Sequence, residues 1–279
     1  MKHLLSDKRA YFAAFGAVGG LLSAILYGML GFNSPFASWV VGTGFDGMCI
    51  GAMLAFGQAR YVGKSFDMMA FRKAMMIGGF GGLVGGFSAL KLGFPIAEAF
   101  GGASNAGRFL GWTLGGVAVG FAVSKVVPNL KLKTACIAGA GGGFFGCALM
   151  YLMSSLAAGT ATTGAAIGVA IALAETAFRQ AWLEVTVKPK GLTLEKERTL
   201  TVTLGDKPVL FGCAGDADVM LAEMAGAKAH FAKVSLSGGK VTLLDMTTEK
   251  AREIAVDEGF DVSNAWVVVR SKPASAVPA

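Results

Sequence analysis

The sequence predicts a membrane α-helical bundle of six helices, arranged as three glycine-rich hairpin repeats, followed by a C-terminal all-β sandwich. Three observations lead there. The chain of 279 residues is 54% hydrophobic and 15% charged, with a mean hydropathy of +0.59, whereas a soluble domain carries roughly 25% charge. The charge is also uneven, sparse over residues 10–180 and ordinary over residues 181–273. Finally, glycines recur every fourth residue inside apolar runs, a spacing that lines one helix face and lets a second backbone come close. The expected domains are therefore 1–180 in the membrane, 181–273 as the sandwich, and a tail at 274–279.

Apolar runs long enough to span, about 20 residues each, lie at 11–31, 36–58, 71–90, 108–127, 134–156 and 160–178. The polar start and the absence of an A-x-A site after the first run make it a membrane helix, not a cleaved signal. The links alternate in charge. Those at 60–73 and 126–133 are basic, as is the N-terminus. Those at 32–38 and 157–159 carry no charge, and the link at 92–107 holds only Glu98, with Lys91 and Arg108 at its margins. The positive-inside rule then places both termini and the basic links in the cytoplasm of a multi-pass inner (plasma) membrane protein. The net charge of +7 is accounted for by this topology, and without a basic stripe interleaved with aromatics no nucleic-acid partner is expected.

The first helix of each hairpin begins with basic residues followed by glycines. The best developed stretch is Arg72-Lys73 followed by Gly78, Gly82 and Gly86, and it recurs as Gly139, Gly143 and Gly146. The second helix of each hairpin carries a four-spaced pair: Gly47 and Gly51, Gly116 and Gly120, Gly164 and Gly168. These glycines are the expected helix-packing positions.

Asp46 is the one acid deep in an apolar run and the candidate intramembrane functional residue, with no deep Lys, Arg or His to match it. Glu175 precedes Arg179 by four residues, the spacing of an i,i+4 ion pair. Gly141-Gly-Gly-Phe-Phe-Gly146 fits a dinucleotide fingerprint, but it lies within a membrane helix, where packing explains it. Cys49, Cys136, Cys147 and Cys213 form no C-x-x-C pair, and His3 and His230 have no ligand cluster beside them, so no metal or other cofactor is expected. With no Walker loop or Ser-His-Asp grouping, the chain is not expected to be an enzyme.

After residue 180 the pattern becomes short and alternating. Strands are expected at 182–187, 199–204, 209–213, 218–221, 230–236, 240–246 and 265–270, with a helix at 248–254, as a small antiparallel sandwich. The stretch Phe178-Arg-Gln-Ala-Trp-Leu-Glu-Val185 together with four runs, Val209-Leu-Phe-Gly-Cys213, Asp216-Ala-Asp-Val-Met-Leu221, Ala229-His-Phe-Ala-Lys-Val234 and Lys240-Val-Thr-Leu-Leu-Asp245, resembles the forkhead-associated (FHA) domain found in bacterial membrane proteins with glycine-rich helices. That resemblance implies a phosphothreonine site formed by Gly212, the residue after it, the residue three before the histidine, and a Ser-x-Asn-Gly-Thr turn. Here those places hold Cys213, Ala227 and Met246-Thr-Thr-Glu-Lys250, so the site is degenerate, while His230 matches the family's structural histidine. The expected function is a membrane scaffold that presents an FHA-like docking domain to the cytoplasm. Its partners would be lipid and other proteins, with homo-oligomerisation left open. The alternative is a channel or transporter subunit built from the hairpins and regulated by that domain.

Overall fold

The computed structural model describes residues 7–31, 34, 36–62, 68–99, 105–125, 130–153, 155–178, 181–188, 197–205, 207–222 and 229–271. The chain forms two compact units, Met1–Gln58 with Met68–Ala177, and Ala59–Asp67 with Phe178–Ala279.

The first unit is helical. Its elements are α1 (Lys8–Leu30), α2 (Gly42–Val62), α3 (Met68–Ser88), a short α4 (Phe94–Ala99), α5 (Asn105–Ser124), α6 (Leu132–Met153) and α7 (Leu156–Phe178). All but α4 belong to spans long and apolar enough to cross a membrane. The link expected after the third span thus holds a helix of its own. Wider π-turns, Ala37–Val41 and Ala89–Gly93, lead into α2 and out of α3. Asp7 caps α1 by accepting the Arg9 N–H at 2.9 Å, and Gly31 ends it in the left-handed region, at φ 55°.

The six long helices close into a ring, each packing on the next and α7 returning to α1. Glycine makes this possible. A Cβ on Gly47 would run into the carbonyl of Gly78 on α3, one on Gly116 into Gly139 on α6, and one on Gly164 into Gly16 on α1. One turn on, a Cβ on Gly82, Gly143 or Gly20 would strike the carbonyl of Thr43, Trp112 or Thr160. On α3, a Cβ on Gly86 would meet the Trp39 carbonyl, and on α6 one on Gly146 would press on Thr163. The same joint is therefore made three times, and the hairpins are related by an approximate three-fold axis. The second helix of each hairpin lies inside. Ile50, Val119 and Ile167 form one buried layer and Leu54, Val123 and Ile171 the next. The outer helices turn large apolar side chains outward, among them Ile25, Phe80, Ile137 and Phe145. Such a surface suits lipid and not water.

Glu175 is paired with Lys8 at 2.7 Å, joining α7 to α1, where the sequence suggested Arg179, which lies outside the described residues. Both side chains are largely buried.

Among the described residues the second unit is a sandwich of nine strands, β1 (Ala181–Val187), β2 (Arg198–Leu204), β3 (Val209–Gly212), β4 (Val219–Met220), β5 (His230–Ser237), β6 (Lys240–Asp245), β7 (Ala251–Ile254), β8 (Gly259–Val262) and β9 (Ala265–Ser271). They form sheets ordered β2-β1-β9-β8 and β4-β3-β5-β6-β7. Alternation buries Leu183 and Val185 of β1, and Val267 and Val269 of β9, against Phe211 and Val234 of the facing sheet in one core. The expected helix at 248–254 is in fact a turn followed by β7, because Ala251–Ile254 pairs with β6 across four residues. Strand β8 was not foreseen, and β3 pairs with β4 in parallel, so the sandwich is not wholly antiparallel. Gly238 and Gly239, at φ 57° and 80°, make the tight turn between β5 and β6.

Candidate functional site

A cavity of about 460 Å³ opens among the ends of α1, α2, α5, α6 and α7, within the size range of small-ligand sites. Asp46 lines it from α2 and Arg108 from α5. Asp46 Oδ1 accepts a hydrogen bond from the hydroxyl of Ser23, a buried residue of α1. Arg108 lies over the rings of Trp39 and Tyr151, with centroids at 5.5 and 6.0 Å. Its Nε is enclosed and has no hydrogen-bond partner, and no ion pair to it forms among the described residues. Several hydroxyls of the wall are already engaged. Tyr27 and Ser38 share a hydrogen bond of 2.6 Å, Thr43 donates to the carbonyls of Trp39 and Gly82 at 2.7 and 2.8 Å, and Thr160 donates to Leu156 at 3.0 Å.

The sequence offers no Lys, Arg or His deep in the spans to match Asp46. Arg108 stands at the margin of the 92–107 link in the sequence, yet it lines the same cavity, without an ion pair to Asp46 among the described residues. Alignment of the three repeats was the signal that could have found it. Measured from Gly47, Gly116 and Gly164, the place of Arg108 is held by Trp39 and Leu156 in the other hairpins. The place of Asp46 is held by Gly115 and Thr163, and that of Ser23, measured instead from Gly16, Gly78 and Gly139, by Gly85 and Gly146. Where two hairpins have a plain helix contact, Gly85 on Gly115 and Gly146 on Thr163, the first has the Ser23–Asp46 hydrogen bond.

The second unit carries the other predicted positions. Gly212 ends β3 at a register shift against β5, and a Cβ there would strike the carbonyl of Ala229. Cys213 follows. Its N–H donates to the Ala229 carbonyl at 2.9 Å, and its thiol donates to the same oxygen at 3.6 Å. His230 Nε2 is 2.8 Å from Asp216 Oδ1. Ala227 lies outside the described residues. Asp245 ends β6 and accepts the N–H groups of Thr247 and Thr248 at 2.8 and 3.1 Å. Slight burial works against its charge, but these donors outweigh burial and hold its carboxyl below the usual aspartate value. The pairings Gly212↔His230 and Ala232↔Asp245 bring all these groups to one end of the five-stranded sheet.

No protein-family model matches the chain, and no curated protein matches it. Function is read from these two places.

Proposed function

We propose that the chain is an integral-membrane docking protein, with the helical ring as its anchor and an FHA-like sandwich as its interaction module on the cytoplasmic side. The observation that carries this reading is the convergence of the turns after β3 and β6 with the start of β5 at one end of a sheet. Loops held by a rigid sandwich are a common place for recognition. Cys213 stands where a phosphate-binding guanidinium would be needed, and Asp245 is satisfied by its own turn, so the partner is a protein segment recognised without phosphate. The test is a photo-reactive residue placed at Thr247 or, as a control, at Thr199 on the other sheet, in full-length chain in native membranes. Adducts at Thr247 alone are expected, and equal yields at both positions would defeat the reading. A phosphothreonine peptide should bind no better than its unphosphorylated form.

A second reading, a solute-binding bundle of the channel or transporter class, is favoured by the cavity that joins Asp46 and Arg108.

A further inference from the structure

The cavity departs from the three-fold pattern in a way that packing does not require. The joints that hold the ring are repeated three times, whereas Ser23, Asp46 and Arg108 each occur once, and all three meet in one space. Ionisable groups inside a membrane bundle are costly and are placed there for a purpose. Arg108 is steadied by two aromatic rings and has an enclosed, unanswered N–H. A planar guanidinium fork of that kind fits a carboxylate edge-on. A bare anion, however, would also face Asp46, and like charges in a shared low-dielectric space repel. A doubly charged phosphate would leave a larger excess. The ligand that matches one guanidinium and one carboxylate is itself dipolar.

We propose that this cavity binds a small α-amino acid, its carboxylate on Arg108 and its ammonium on Asp46, which the Ser23 hydroxyl orients. This rests on the solute-binding reading and is independent of docking by the sandwich.

The experiment uses the full chain in lipid nanodiscs. Equilibrium binding is followed by calorimetry and by the fluorescence of Trp39 and Trp112, which line the cavity. The probes are L-alanine, acetate, ethylamine and phosphoethanolamine. Saturable binding of L-alanine is expected, with each of the others at least about tenfold weaker, since each loses or mismatches one charge-assisted contact. Arg108→Gln and Asp46→Asn should each weaken L-alanine by a similar factor, while Asp46→Asn should strengthen acetate binding, because the carboxylate that repels it is gone. The comparison among probes on the unaltered chain decides the matter even if a variant fails to fold. Acetate or phosphoethanolamine equal to L-alanine would overturn the ligand class while sparing the solute-binding reading. No response to any probe would overturn both.

Discussion

Gly82 and Gly141 are the same residue type in two outer helices, yet their surroundings differ. A Cβ at Gly82 would collide with the backbone of Thr43, while at Gly141 it would meet nothing within 4 Å. Gly82→Ala should therefore lower the thermal midpoint of the detergent-purified chain, at a cost of about 1–3 kcal/mol from overpacking. Gly141→Ala should be neutral or stabilising by up to about 1 kcal/mol, because alanine favours a helix. Equal responses would show that close backbone approach does not hold the ring. Asp245 gives a residue-scale test in the sandwich. Its carboxyl sits below its ordinary value of 3.8, so its charged form stabilises the fold at neutral pH, and this contribution is lost as pH falls through the lowered value. Asp245→Asn should destabilise the sandwich at pH 7, and its deficit should shrink below pH 3.8, as followed by tryptophan fluorescence. Of the cavity residues, only Asp46 was legible in the sequence, because a lone acid in an apolar run stands out. Arg108 was not, because it stands at the margin of a link, at the end of its span, and not deep within it.

Elements were legible where their signal accumulates over many residues. Twenty apolar positions outvote any local exception, so the six spans emerge from composition and length. The short elements were decided by neighbours instead. Ala251–Ile254 is a strand because β6 offers it a partner, and β8 is a strand because β9 does. No local propensity over four residues competes with a ladder of hydrogen bonds. Where the ring closes at α1 and α7, Lys8 and Glu175 add an element-scale contact to the glycine joint. Lys8 stands at the first residue of its helix and has a stem long enough to reach outward, whereas Glu175 does not. Lys8→Met should thus be the more damaging change, by up to about 3–5 kcal/mol, because it takes a charged partner away from a buried carboxylate. Glu175→Gln should cost less, and the double variant should fall short of the sum of the two. Thermal midpoints of the four proteins check this.

At the scale of the whole molecule, the proposed orientation makes a prediction of its own. In a cysteine-free background, a cysteine at the exposed Ser34 should react with an impermeant maleimide in intact cells, and one at Asp7 should react only after permeabilisation. Labelling in the opposite order would invert the topology and place the sandwich outside. The ring itself has a consequence for ancestry and stoichiometry. Three separate hairpins assembling about an axis would present every side chain in triplicate, so one acid on that axis would bring two more, and one guanidinium likewise. Identical chains cannot set a single carboxylate opposite a single cation. Joining the copies into one polypeptide frees each position to change alone, and the odd one out among Asp46, Gly115 and Thr163, or among Arg108, Trp39 and Leu156, is a record of that freedom.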